Sequence, residues 1–223
     1  MDNILNQFLK THFKNLALKP PLFYSWENGI RFEISMPGIE HEDPGNLNQI
    51  KERTKTLFHH VFHESDELLL ITDVHCQASN QFLQKRPTKV YQKYIKSKDR
   101  VRKLQHNVLP YVFQEEYEGE DNEKSVTHRF SLRCKKNDIR YTQLLSAISY
   151  EDFAHPTTIL KGNRESGVDI YFINLTRKMM FHLYDDRGCD IIAAHKEELV
   201  ELYRNCNDWI LDYDREKVDQ LFK

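Results

Sequence analysis

The chain has 223 residues, 39% hydrophobic and 12% aromatic, which is enough apolar material to fill a core and excludes general disorder. Its 34 acids nearly balance 32 bases, for a net charge of −2, so the chain as a whole is not matched to a polyanion. No run of about 18 apolar residues occurs, which excludes a membrane-spanning helix.

Residues 4 to 13 place Ile4, Phe8 and Leu9 on one helical stripe, and Pro20-Pro21 ends whatever precedes the next element. Leu22 to Trp26, Glu27-Asn28-Gly29 and Ile30 to Ser35 together predict a hairpin, because Asn-Gly satisfies the two positive φ values of a type I′ turn. Met36 to Gly45 reads as a loop. From Leu47, the recurrence of Ile50, Thr54, Leu57, Phe58 and Val61 predicts a helix. Glu67 to Cys76, with its Leu68-Leu69-Leu70-Ile71 centre, reads as an interior strand.

Lys85 to His106 carries nine Lys or Arg with Asp99 as its single acid, and Val90, Tyr91, Tyr94 and Ile95 give it a helical apolar stripe. Six acids follow among Glu115 to Glu123, a predicted surface loop. Ser125 to Lys135 alternates as a strand that points His128 into the apolar face. Asp138 is placed to cap a helix carrying Tyr141, Leu144, Leu145 and Ile148. Val168 to Ile173, Met179 to Tyr184 and Cys189 to Ala194 form a three-strand meander. Between the last two strands, Asp185 can bond the backbone two residues on, and Gly188 can take the positive φ of a bulged turn. Lys196 to Leu211 reads as a helix on the sheet, and Asp212 or Asp214 can cap a last helix carrying Val218, Leu221 and Phe222.

This order predicts an α+β fold: a mixed, mainly antiparallel sheet with an N-terminal hairpin, a C-terminal three-strand meander and helices packed on it. A single domain over 1–223 is expected, with lobes 1–84 and 125–223 joined by the basic segment 85–113 and the acidic loop 115–124 as the alternative division. Cys76, Cys134, Cys189 and Cys206 are widely spaced and read as reduced core thiols. The N-terminus lacks a basic start and a small-residue cleavage site, so the expected compartment is the cytoplasm.

Tyr184-Asp185-Asp186-Arg187-Gly188, Asp190-Ile191-Ile192-Ala193 and Trp209-Ile210-Leu211-Asp212-Tyr213-Asp214-Arg215 resemble the C-terminal signature of a bacterial family, domain of unknown function 3885. Pro21-Leu22-Phe23-Tyr24, Gly29-Ile30-Arg31-Phe32-Glu33, Leu109-Pro110-Tyr111 and Asp138-Ile139-Arg140-Tyr141 extend the resemblance over most of the chain. It implies a relative and carries no activity or catalytic residues with it.

Among possible reactive groups, Thr72-Asp73-Val74-His75 places Asp73 and His75 on one strand face, and His59 and His63 lie four apart on one helix face. Both spacings suit metal ligation, so these four residues are the candidate metal set of a hydrolase or nuclease. The same residues suit a solvated helix face and a strand end, and no Gly-x-Ser-x-Gly, phosphate loop or Gly-x-Gly-x-x-Gly accompanies them. Lys93, Tyr94, Lys96, Arg100 and Arg102 are the candidate nucleic-acid contacts, cations for phosphates and an aromatic ring for a base. Asp169, His182, Asp185, Asp186 and Asp190 could gather at one sheet end. With Asp212 and Asp214 these acids read first as turn and helix-start residues. No cofactor is expected. The leading expectation is a non-enzymatic module that binds a protein partner, such as an immunity or antitoxin protein, through the basic segment or the acidic portion 185–223.

Overall fold

The structure is a computed structural model that describes residues 3–80, 89–114, 125–151, 153 and 166–223. The predicted acidic loop, the first residues of the basic segment and most of the connection before Gly167 lie outside the described residues.

The longest apolar run makes the centre of the molecule. Strand β2 (Leu68–Gln77) is buried on both faces over nearly its whole length and pairs on one side with β4 (Ser125–Cys134) and on the other with β5 (Gly167–Asn174). The meander continues outward through β6 (Met179–Leu183) and β7 (Gly188–Ala193). With β1 (Gly29–Glu33) and β3 (Gln105–Pro110) at the two edges, the seven-stranded sheet has the order β1-β7-β6-β5-β2-β4-β3. Every pairing is antiparallel. The fold is α+β, and strands from the two lobes considered above interleave in one sheet.

Period-two alternation gives the two faces different covers. Leu68, Leu70, Val74, Phe130, Phe172 and Phe181 face α3 (Pro44–Val61), whose Leu57, Phe58 and Val61 are fully buried among them. Each such aromatic or aliphatic side chain contributes about 1.5–3 kcal/mol by leaving water. Leu69, Ile71, Tyr171, Ile173 and Met180 face α1 (Asn3–His12), which buries Leu5, Phe8 and Leu9 on them. Beyond α1 the chain turns through Lys14 and Asn15 at φ 50° and 62°.

The N-terminal hairpin is overturned. Leu22–Ser25 is a helical turn, α2, and β1 pairs with β7 instead of with residues 22–26. Burial decides it: Leu22 and Phe23 go to opposite sides of the core, and the Phe23 N–H donates to Asp190 at 3.1 Å. Gly29 does not take a positive φ. It is needed for close approach, since a Cβ there would fall 3.0 Å from Ile192 and 3.3 Å from Phe23.

The basic segment is helical only in part. It holds two short helices, α4 (Lys89–Gln92) and α5 (Lys98–Val101), and then edge strand β3, whose polar Gln105-His106-Asn107 start hid it. Asp138 accepts from the Lys135 N–H at 2.8 Å and does not cap α6 (Tyr141–Ser149). The predicted 196–211 helix breaks into a 3₁₀ turn, α7 (Val200–Asn205) and a second 3₁₀ turn, ahead of α8 (Arg215–Phe222).

Candidate functional site

Helix α3 starts three residues earlier than its apolar stripe suggests, because Asp43 caps it and Pro44 occupies its first turn, where a missing N–H costs nothing. Its partner α6 runs antiparallel. Tyr141 at the start of α6 stacks on Phe58 near the end of α3, with centroids 5.1 Å apart. Toward the other end the contact opens, because α6 presents Thr142, Ser146 and Ser149, side chains too small to fill the space opposite Leu47, Ile50 and Thr54. The result is a cavity of about 810 Å³ lined by both helices, with Tyr150 at one end and Lys55 and Lys93 at the other.

Two properties give this groove chemical character. Among the described residues, Lys51, Lys55 and Lys93 line it and no acid does, and none of the three lysines has an ion-pair partner. Thr54 is only 3% exposed, and its hydroxyl has no hydrogen-bond partner among the described residues, a costly state for a buried donor. An apolar cleft of this volume with a few directed polar groups is how binding sites for helices and small ligands are built.

The opposite face of the sheet carries a buried polar row. Asp73 is held at two points by Arg129, and burial still pushes its carboxyl up. His75 lies between the Thr127 hydroxyl, 3.0 Å from Nδ1, and Asp169, 2.9 Å from Nε2. His182 Nε2 approaches the other Asp169 oxygen at 3.3 Å. Burial alone would raise the Asp169 pKa, but the two imidazoles outweigh it and hold the carboxyl well below the usual range. Farther along, Asp190 accepts from Phe23, and Arg31 is gathered by Tyr24 (3.0 Å), Tyr184 (3.2 Å), Asp214 (3.7 Å) and Asp190 (3.9 Å). Five of the seven segments on which the family resemblance rests thus converge on one guanidinium.

The four residues of the candidate metal set are not brought together. His59 lies on α3 and meets the Tyr141 hydroxyl at 3.0 Å, but the helix ends at Val61 and leaves His63 beyond it, where it meets Arg177 at 3.5 Å, so the two do not share a helix face. Asp73 and His75 are on the other side of the sheet. Among the described residues, no group of three or more His, Cys, Asp or Glu is placed to hold a metal ion.

In the basic segment, Tyr94 is 2% exposed and packed in the core, so it offers no platform for a base. Arg100 pairs with Asp138 and Arg102 with Asp99, both at 3.0 Å, leaving Lys93 and Lys96 exposed.

Of the acids, Asp185 accepts from the Arg187 backbone and pairs with its side chain, as its turn role requires. Asp186 pairs with His41 at 2.9 Å. Asp212 is exposed near Arg215 at 3.7 Å. Asp214 makes no cap to α8, because its carboxylate accepts from the Tyr24 hydroxyl at 2.8 Å. Gly188 has no positive φ; a Cβ there would lie 2.5 Å from the Phe32 carbonyl oxygen.

Sequence reasoning missed Lys51, Thr54, Lys55 and Ser146. The α3 stripe contained Thr54, but one helix's periodicity does not tell which neighbour will leave it uncovered.

The family model for the domain of unknown function DUF3885 matches residues 5–214. The chain is similar to the uncharacterised protein YnaE of Bacillus subtilis (strain 168), with 31% identity over 215 residues that cover 92% of this chain and 96% of that protein. No solved structure matches. Among the described residues, no helix is long and apolar enough to cross a membrane. The extent of both matches, with the signature segments meeting around Arg31, makes this chain a member of the DUF3885 family.

Proposed function

We propose that this protein is a binding module whose α3–α6 groove receives an acidic amphipathic helix from a protein partner. The observation that carries the reading is the one-signed lining: three lysines and, among the described residues, no acid around an apolar cleft. Apolar residues of the incoming helix at spacings of three and four would fill the space beside Leu47, Ile50 and Leu145, and its acids would meet the lysines. A polar group on that helix would satisfy Thr54. The lysines steer encounter and set specificity, while the apolar floor supplies the affinity.

Occupying a partner's helix is sufficient to neutralise it, which is the physical requirement for an immunity or antitoxin protein. The four cysteines are free and buried, which suits a cytoplasmic setting. The metal-dependent hydrolase reading has no comparable support, because its four residues sit on two sides of the sheet.

The test is affinity capture from the host cell with two baits, the parent protein and Lys51→Glu/Lys55→Glu/Lys93→Glu. The reading expects a protein retained by the first and lost by the second, with both baits melting at the same temperature. Equal capture by both baits, or none by either, overturns it.

A further inference from the structure

The lysine end of the groove continues beyond it. Lys93 opens the stretch 93–103, and a second stretch, 135–140, is tied to the first although it is distant in sequence. Ile95 and Ile139 form an antiparallel bridge, the Arg140 N–H donates to the Tyr94 carbonyl at 2.7 Å, and the Lys96 N–H donates to the Asp138 carbonyl at 2.9 Å. The second stretch leads directly into α6, whose Thr142 and Gln143 line the groove.

Together the two stretches hold nine Lys or Arg against Asp99 and Asp138. Both acids are committed locally, Asp99 to Arg102 and Asp138 to Arg100, each at 3.0 Å. Lys136 is buried and pairs with Glu64 at 3.6 Å. That leaves Lys93, Lys96, Lys98, Lys103, Lys135 and Arg140 exposed and, among the described residues, without an acidic partner. The Arg140 guanidinium donates to the Lys93 and Ile95 carbonyls at 3.1 and 3.2 Å, which hold it without cancelling its charge. Glu151, whose charge is felt at the Tyr94 hydroxyl, adds one acid to the neighbourhood and leaves the excess of cations large.

Composition and chain length keep the neighbouring segments from neutralising this patch. Residues 81–88 contain no acid, and Asp152 with residues 154–165 bring two acids and two bases. The six acids of 115–123 belong to a ten-residue connection between Gln114 and Ser125, at the end of β4 where Pro110 pairs with Val126. Lys135 is the whole length of β4 away, about 30 Å at a rise of about 3.4 Å per residue. Ten residues held at both ends reach at most about 20 Å from their anchors, which falls short of Lys135.

The chemistry of the patch selects among polyanions. Stacking of bases needs exposed aromatic rings, and Tyr91 and Tyr94 are 1% and 2% exposed. Forked recognition of phosphate needs free arginines, and Arg100 and Arg102 are paired. What remains is chiefly lysine, a point charge on a flexible stem, which suits the mobile carboxylates of an extended acidic segment. From the continuity of the patch with the groove and its excess of unpaired cations, we infer that it is the second half of the partner site and takes an extended Asp- and Glu-rich segment adjoining the helix held between α3 and α6. The inference rests on the groove reading and adds that the partner's acidic character does not end with its helix. Contact here is ionic and exposed, so it speeds encounter and fixes the direction in which the partner chain leaves the groove.

The experiment places a photo-crosslinking residue at Asn137, an exposed neutral position inside the patch, and separately at Ser146 in the groove, in living host cells. The Asn137 adduct is expected to contain the same protein as the Ser146 adduct, joined through a stretch rich in Asp and Glu beside the helix. Lys96→Glu/Lys98→Glu/Lys135→Glu should abolish the Asn137 adduct, keep the Ser146 adduct and keep the melting temperature. On the purified full chain the probe is fluorescein-labelled dodecaglutamate at low salt. The parent and Lys51→Glu/Lys55→Glu should bind it, and the patch variant about tenfold or more weakly. A Ser146 adduct with none at Asn137, no binding of dodecaglutamate, or equal binding by parent and patch variant overturns the inference and leaves the groove reading standing. An Asn137 adduct to a protein that Ser146 does not capture overturns the groove reading and the continuity drawn from it, and no adduct at either position overturns both. Nucleic-acid adducts at Asn137, or an oligothymidylate of equal length bound more tightly than dodecaglutamate, overturn the inference in favour of a nucleic-acid surface.

Discussion

Asp73 and Arg129 face each other across β2 and β4 and meet at two points, Nε to Oδ1 at 2.7 Å and Nη2 to Oδ2 at 2.5 Å. The carboxylate is wholly buried and the guanidinium side chain 13% exposed. Removing one partner strands the other, so Arg129→Met is expected to cost about 3–5 kcal/mol in urea unfolding. Asp73→Leu/Arg129→Met should recover most of that loss, because an apolar pair fits the row beside Ile71. A single-variant cost below about 1 kcal/mol would mean the pair is solvated and weak.

The histidine pair on the other face gives a pH dependence. His106 and His128 approach at 2.9 Å between Nε2 and Nδ1, and His106 also stacks on Phe130. Burial lowers the pKa of both, and the nearby His106 lowers that of His128 further. The unfolded chain therefore takes up protons that the folded chain refuses. This contribution to stability is complete above the unfolded value near 6.5 and is lost as pH falls below it. Unfolding measured from pH 7.5 to 5.5 should show falling stability, with a shallower fall in His106→Gln/His128→Gln. Identical slopes would contradict it.

Three glycines separate close approach from open space. Gly188→Ala puts a methyl against the Phe32 carbonyl, and backbone cannot yield as a side chain does, so a cost of about 1–3 kcal/mol or more is expected. Gly29→Ala, tight against Ile192, should cost less. Gly167→Ala should be close to neutral. Thermal unfolding ranks the three, and a neutral Gly188→Ala would show that the turn relaxes.

Thr54 links stability to binding. Its buried hydroxyl has no partner among the described residues, so Thr54→Val removes an unsatisfied donor while keeping the shape, and should leave stability unchanged or raise it by about 1 kcal/mol. The same change should weaken capture of the partner. A stability loss above about 1 kcal/mol would mean that the hydroxyl is engaged in the fold.

What was legible in the sequence was periodic. The Leu68–Gln77 strand, the α3 stripe and the meander all follow from alternation, and so does the α+β class. What was not legible depended on neighbours far along the chain. Asn28-Gly29 has hairpin chemistry, but Asp190, 167 residues from Phe23, takes the Phe23 N–H and β7 takes the strand. Asp214 has cap chemistry, and Tyr24 claims its carboxylate. Strand β3 carries too little apolar alternation to be recognised. The groove depends on small residues of α6 lying opposite α3, a relation that neither helix encodes alone.

The central claim is that the α3–α6 groove holds a partner's acidic helix. A photo-crosslinking residue placed at Ser146, midway along the groove, tests it directly in living host cells. Mass spectrometry of the adduct should identify one segment of another protein, rich in Asp and Glu with apolar residues three and four apart, and the adduct should vanish with Lys51→Glu/Lys55→Glu/Lys93→Glu. Adducts to nucleic acid, adducts to a basic or unpatterned segment, or no protein adduct at all would contradict the account.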